Sequence, residues 1–391
     1  MAVAVVQARD RGRPIRRFLG EYRYAIGAWA WSRALTLLAV AMVGWVTRPH
    51  RGLGLVHVIS EPLRRWDGFW YLQIAQYNYD PTLAHGNAPA FYPLYPAVVA
   101  VTRAVTRLSY PASGVLISSL LLLPALLLLY RITFDRFGEE IARRTVLLLS
   151  LSPMSFVFSA VYTESLALLL VLAAFAWLER GRVFGACGIG MLAVLARPVG
   201  ILLAPAIAWR VFDDGGRRVT PRLFLRLTPI LLLPLALVGF QAYLWWRTGT
   251  VFASHAAEAR GWGRSAEPLY ILLLPVAILH AVWIAVVHPD LGLAISAAAA
   301  FALTWLLAAG AWLRKIPIEY VIFGAGCVIL PAYTGTWLGM PRFGLMVFPA
   351  FWVLAILAGK RDWIDTALRT GMPASMVGLV FVSYGVGTFT P

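Results

Sequence analysis

Charge is scarce in this chain: only 13% of its 391 residues are Asp, Glu, Lys or Arg, where soluble domains usually carry ~25%. That scarcity excludes an ordinary water-soluble globule. Cysteine is scarcer still. Cys187 and Cys327 are the two in the chain, and both lie inside apolar runs, so neither a disulfide framework nor a thiolate metal site is expected. Walker phosphate loop, dinucleotide fingerprint and nucleophile elbow are all missing, which argues against a nucleotide donor on the cytoplasmic side. There is no D-x-D around Asp67, because Phe69 stands two positions on. His85 and His255 each lack a His, Cys or carboxylate partner at ligand spacing, so no metal and no cofactor is expected. Sequence repeats, low-complexity linkers and soluble domains longer than a loop are absent too.

What is present is apolar: 60% of the residues are hydrophobic, in runs close to the ~20 residues a helix needs to cross a bilayer. Eleven such runs predict membrane-spanning helices at 25–46, 113–131, 144–160, 163–178, 183–196, 199–211, 227–246, 290–312, 318–333, 344–358 and 371–388. The fold class expected is an all-α polytopic membrane protein, residues 1–391 forming one membrane domain. The formal net charge is +16, which in a soluble protein would raise nucleic acid as a partner. Here the arginines sit mostly in short segments between apolar runs, with no basic, aromatic-interleaved surface, so no nucleic-acid partner is expected. The positive-inside rule accounts for them better. It places the basic N-terminal segment 1–24 in the cytoplasm, with no small-residue cleavage site following the first apolar run. "RITFDRFGEEIARR", "ERGR", "WRVFDDGGRRVTPRLFLR", "LRKIP" and "GKRDW" share that side.

The opposite, extracytoplasmic face then holds the long loop 47–112, the loop 246–289, "YTES", "RPVG" and "GMPRFG". Within the second loop, 268–288 is apolar enough to span, but spanning would put every later basic loop outside. A re-entrant or interfacial segment is expected there instead. The 91–107 part of the first loop, with early prolines and late arginines, is expected to lie along the membrane surface.

Ionisable residues near a bilayer are costly and therefore mark candidate sites. Asp67, in "PLRRWDGFWYLQIAQYNYD", reads either as a general base or as a helix cap. Glu164, in "VYTESLALLL", reads either as a helix-terminal acid favoured by the dipole or as the partner of a cavity arginine. Arg342, between Pro341 and Phe343, either snorkels to the interface or clamps a lipid-linked phosphate through its planar, bidentate donors. Arg197, Arg247, Arg260 and Arg264 lie on the same predicted face, where the positive-inside rule predicts few. An anionic ligand would explain that gathering. Trp66, Trp70 and Tyr71 read as supports of the helix or as rings that stack on a sugar, and equally as interfacial anchors.

The ordered set "RRWDGFWYLQIAQYNYD", "AFYPLYP", "LSPMSFVFSAVYTESLALLL", "LARPVG", "GWGR" and "GMPRFGLMVFPAF" resembles the PIG-V-type (GPI mannosyltransferase 2-like) family and its bacterial relatives, of the GT-C group of polytopic glycosyltransferases. The resemblance covers about 60–360. It implies a GT-C-type helical fold and transfer of mannose, with inversion, from a polyprenyl-phosphate-mannose donor to a hydroxyl of a lipid-anchored glycan acceptor. A phosphatidylinositol mannoside or a lipoglycan is the kind of glycolipid expected. The reaction would take place on the extracytoplasmic face of the plasma membrane. On that basis Asp67 is the expected catalytic base, and Arg342, Arg264, Arg247, Arg197, Glu164, Trp66, Trp70, Tyr71, Tyr92 and His255 are expected to bind substrate. Gly68 and Tyr92 depart from the family's pattern at positions expected to shape the cavity. A glycosyl phosphate carries its own good leaving group, so one carboxylate with several arginines is sufficient equipment, unlike the paired carboxylates of hydrolases. A transporter or flippase of a lipid-linked anion is the rival reading; it predicts inverted repeats and ionisable residues near the bilayer midplane. A catalytically inactive scaffold is a second.

Overall fold

In lipid every backbone N–H and C=O must find a partner inside the chain, and a helix satisfies them within one segment. The computed structural model describes residues 12–47, 54–80, 86–264, 283, 287, 291–313, 315–333, 339–387, 389 and 390, and among them the elements are all helical. In chain order they are α1 (Gly12–Thr47), α2 (Leu55–Leu63), α3 (Asp67–Tyr77), α4 (Leu94–Thr106), α5 (Tyr110–Phe137), α6 (Glu139–Ser150) and α7 (Glu164–Glu179). Then come α8 (Val183–Ala196), α9 (Leu203–Asp214), α10 (Pro221–Leu227), α11 (Leu232–Thr248) and α12 (Ala253–Trp262). The last are α13 (Leu291–Trp312), α14 (Ile318–Tyr333), α15 (Met340–Phe343), α16 (Phe348–Ala358) and α17 (Asp362–Val380).

Of the eleven spans predicted, four correspond to stretches long and apolar enough to cross a membrane: 20–47, 110–137, 221–248 and 294–312. The pair 340–346 and 348–358, bent by 83°, would make a fifth if counted as one span. The helices 183–196 and 318–331 are apolar but shorter. The segment expected to be re-entrant lies, apart from Trp283 and Val287, outside the described residues. Helix α4 buries Tyr95, Pro96 and Val99 and leaves Val101 and Val105 exposed.

One predicted span is corrected. The run 144–160 is not a continuous helix: α6 stops at Ser150, and 151–163 continues as buried turns with one 3-10 segment, Ser155–Phe158. Pro153 removes a donor there, and a run of serines offers the backbone side-chain partners in place of the helical ladder. Irregular backbone this deep needs its polar groups satisfied, and several find partners across the bundle. Arg33, buried in α1, donates to Ser159 Oγ at 2.9 Å and to the Ser155 carbonyl at 3.0 Å. Ser118 Oγ donates to the Tyr162 carbonyl, Thr163 Oγ1 to the Ala196 carbonyl, and the Val161 amide to the Leu63 carbonyl at 2.9 Å. The segment is thereby a fixed floor between α2, α5 and α8, on which the start of α3 rests.

Helix direction sorts the charges. Helix α7 begins at Glu164 and ends at Glu179, which pairs with Arg136 at 2.5 Å, while α14 begins beside Glu319, which pairs with Arg210 at 3.0 Å. Arg144 with Asp365 and Arg131 with Glu21 are paired around the same end of the bundle. Glu164, the C-terminal end of α8 and the second half of α14 face the other end, and there the bundle opens.

Candidate active site

A cavity of about 570 Å³ lies at that end, walled by α3, the 88–92 turn, α8, α11, α12, α14 and α15. Asp67 is the first residue of α3, a position where an acid can serve the helix terminus. Its carboxylate Oδ2 accepts from Arg342 Nη1 at 2.5 Å. The backbone enforces this aim: Trp66 sits at φ 54°, in the left-handed region that non-glycine residues rarely occupy. Such strain persists only where packing over-determines it, and here the Trp66 ring lies 5.0 Å from that of Tyr384 while Arg65 donates to the Tyr384 carbonyl at 3.0 Å.

Arg342 does not snorkel. It is 7% exposed, and its Nε lies 3.3 Å from Glu164 Oε1, within ion-pair range without hydrogen-bond geometry. The same Glu164 oxygen accepts from Arg197 Nη1 at 2.5 Å. Asp67, Arg342, Glu164 and Arg197 thus form an alternating chain of acid and base. Glu164, 2% exposed, sits behind the cavity wall and holds two arginines against it. Burial of a charge is tolerated only with such partners. Arg197 follows α8 in extended backbone, after which the chain doubles back so closely that a Cβ on Gly200 would lie 2.4 Å from the Ala193 carbonyl carbon. Phe343 joins the cations. The guanidinium carbons of Arg197, Arg342 and Arg264 lie 4.6, 5.3 and 5.7 Å from its ring centroid, distances at which a ring face attracts positive charge.

Arg264 pairs with Glu258 at 3.1 Å. Glu258 lines the cavity, and burial pushes its carboxyl up from the ordinary range, Arg264 drawing it back and the Asp67 charge adding to the rise. Glu258 is absent from the sequence-based candidates. In "SHAAEARGW" it reads as one polar position of a short amphipathic stretch; the signal available was an acid six residues before an arginine already suspected.

Tyr71, Tyr92 and His255 also line the cavity. The Tyr71 ring meets those of Phe91 and Tyr95 edge-on. Burial pushes the Tyr92 hydroxyl up to about 12, with Glu258 adding to the rise and Ser254 and Gln241 opposing it. The remaining candidates are elsewhere. Trp66 packs on Tyr384, and Trp70 stacks on Phe91 with centroids 6.1 Å apart, behind the wall. Arg247 ends α11 beside Trp246, and Arg260 donates to the Gly86 carbonyl at the edge of a smaller pocket. Gly68 does not shape the cavity, contrary to expectation. A Cβ there would make ordinary contacts of 3.4 Å with Val161 of the floor. Gly68→Ala is therefore expected to keep thermal stability within ~1 kcal/mol of the parent; a larger drop would place this position under more strain than its contacts indicate.

Among the described residues no three of His, Cys, Asp and Glu gather closely enough to hold a metal ion. The far wall is apolar: Leu237, Val238, Phe252, Leu330 and Met346. Val238 is 63% exposed on the outer surface of α11, one of the long apolar stretches. The cavity therefore borders the face of the bundle that a bilayer would cover.

Long apolar helices around a cavity lined by Arg197, Arg264 and Arg342 define an integral membrane protein with a cationic cavity. The mannosyltransferase (PIG-V) family model matches residues 55–271, more than half of the chain, and the chain belongs to that family. Among curated proteins it is similar to GPI mannosyltransferase 2 of Drosophila pseudoobscura pseudoobscura, at 36% identity over 118 residues, which is 26% of this chain and 24% of that protein. Among solved structures it is similar to the oligosaccharyltransferase of Archaeoglobus fulgidus with zinc and sulfate, with TM-score 0.42, 13% identity, and coverage of 91% of this chain and 53% of that one. The archaeal oligosaccharyltransferase AglB of the same organism, with an inhibitory peptide and a dolichol-phosphate, gives TM-score 0.40 at 12% identity, covering 92% and 56%.

Proposed function

We propose that this protein is a GT-C-type membrane glycosyltransferase that moves mannose from a polyprenyl-phosphate carrier to a hydroxyl of a lipid-anchored glycan, on the extracytoplasmic face. The observation that carries the reading is the Asp67–Arg342 pair, set in a cavity with two further arginines and a lipid-facing apolar wall. The acceptor hydroxyl gives its proton to Asp67 as its oxygen attacks C1 of the sugar from the side opposite the phosphate. The C1–O bond to phosphate breaks, configuration inverts, and the lipid phosphate leaves with the electron pair. Arg342, Arg264 and Arg197 stand where its charge develops, and preorganised donors of this kind are commonly the largest single contribution to a rate. Membership of the mannosyltransferase family supports the sugar, and the Val238 wall supports a prenyl-linked donor entering from the bilayer.

The sidedness is supported by the bundle itself, since the cavity opens at the end opposite the Arg136–Glu179 and Arg210–Glu319 pairs. A transporter fits less well. Arg33, a buried arginine of α1, is committed to Ser159 and to the Ser150 and Ser155 carbonyls. No divalent cation is required on this reading, because three guanidiniums already surround the cavity acids and would repel one.

Purified protein given synthetic polyprenyl-phosphate-mannose and a glycolipid acceptor is expected to transfer the sugar, to ignore nucleotide-linked mannose, and to keep its rate in EDTA. Dependence on the nucleotide sugar would overturn the proposed donor, and loss of activity in EDTA that added Mg²⁺ or Mn²⁺ restores would overturn the metal-free mechanism.

A further inference from the structure

The cavity is chemically divided. Around Phe343 its groups are the guanidiniums of Arg197, Arg264 and Arg342, matched to an anion. At the side formed by α11, α12 and the 88–92 turn they are of another kind: the Tyr92 hydroxyl, the Gln241 amide, the Ser254 hydroxyl and the Glu258 carboxyl. These offer donors and acceptors with a single charge among them, the pattern that suits a polyol. Gln241 Oε1 is buried and has no hydrogen-bond partner among the described residues. A buried acceptor left unmade costs free energy, so a turn of this amide toward the cavity that Gln241 lines, met there by a hydroxyl, would be bound with gain.

The order of these groups along α11 supplies direction. Leu237 and Gln241 are four residues apart, on one helix face and roughly 6 Å from each other along the axis. A molecule lying along that face passes from hydrocarbon to amide within about the length of a phosphodiester. Arg264, held by Glu258 at 3.1 Å and beside Phe343, stands where the two halves of the cavity meet.

Resting on the glycosyltransferase reading above, we infer that Tyr92, Gln241, Ser254 and Glu258 form the subsite that reads the hydroxyls of the donor hexose, with the prenyl chain along Leu237 and Val238 and the phosphate at Arg264. Glu258 bridges the two halves. It accepts from Arg264 and turns its other oxygen to a sugar hydroxyl. The subsite selects for the sugar, and the arginines select for the phosphate.

Binding of two lipids separates these roles: polyprenyl phosphate without a sugar, and polyprenyl-phosphate-mannose. The wild type is expected to bind the second more tightly than the first. Gln241→Ala and Tyr92→Phe are each expected to weaken the mannose-bearing lipid roughly tenfold and to leave the sugar-free lipid unchanged. Tyr92→Phe keeps the ring against Phe240, so its result stands even where Gln241→Ala folds poorly. Equal losses for both lipids, or no loss for either in Tyr92→Phe, would overturn the subsite while leaving the donor class intact. Failure of the wild type to bind either lipid would overturn the donor reading, and the subsite with it.

Discussion

Asp67→Asn is expected to lower the turnover number for mannose transfer by about 10²- to 10⁴-fold, the usual contribution of a positioned base. Asparagine keeps the volume, and its carbonyl oxygen accepts from Arg342 as Oδ2 does now, so the fold and the arginine stay in place. What disappears is the ability to take a proton. The KM for the donor should therefore move little, because the phosphate is held by arginines and not by Asp67. Steady-state rates across donor concentrations check both halves. A variant within threefold of wild type in turnover would remove Asp67 from the chemistry. Glu258→Gln is the necessary companion: among the described residues Glu258 is the other carboxylate lining the cavity, and a larger loss of turnover there than in Asp67→Asn would transfer the role of base to it.

The sequence made one half of this site legible and hid the other for a physical reason. Asp67, Arg197 and Arg342 stood out because an ionisable group beside twenty apolar neighbours is costly unless it is used or paired. All three line the cavity. Glu258 did not stand out because it lies in a predicted loop, where a polar residue needs no special reason to be there. Gln241, inside the span predicted at 227–246, was passed over because it is uncharged and the search was for ionisable groups. Arg247 met the same test as Arg342 and yet lies outside the cavity wall. Six residues beyond Gln241, it is turned roughly 240° around α11, a phase that a list of charges by membrane face does not contain. Trp66 and Trp70 were open between supporting the helix, stacking on a ligand and anchoring. Both are used in packing, on Tyr384 and Phe91, through partners up to 318 residues distant that no local pattern announces. Residues 151–160 of the floor were misread as part of a span because their hydrophobicity is that of a helix. Arg33, buried in α1 and reaching across to Ser155 and Ser159, and the Val161 amide on the Leu63 carbonyl reveal that the floor's backbone is bonded otherwise.

Glu164→Ala is expected to cost about 3–5 kcal/mol of stability, the usual consequence of removing one member from a buried ionic network. The carboxylate is 2% exposed and is approached by two arginines, Arg197 at 2.5 Å and Arg342 at 3.3 Å. Alanine would leave both cations beside each other without the charge between them, under the Phe343 ring and away from bulk water. Their mutual repulsion would push Arg342 toward Asp67 or out of the cavity, so activity should fall together with stability. Glu164→Gln separates the two effects: the amide oxygen still accepts from Arg197 and the shape is kept, while the negative charge is gone. Thermal unfolding of detergent-solubilised protein should therefore order the three as wild type, Glu164→Gln, Glu164→Ala. If Glu164→Ala melts with the wild type, the two arginines are not held by Glu164, and the alternating chain from Asp67 to Arg197 is not the frame of the site. If Glu164→Gln melts nearly normally but transfers mannose slowly, with Arg342→Lys giving the same loss, then the chain acts on catalysis through the aim of Arg342. Lysine keeps the charge but lacks the fork that spans Asp67 and Glu164 at once.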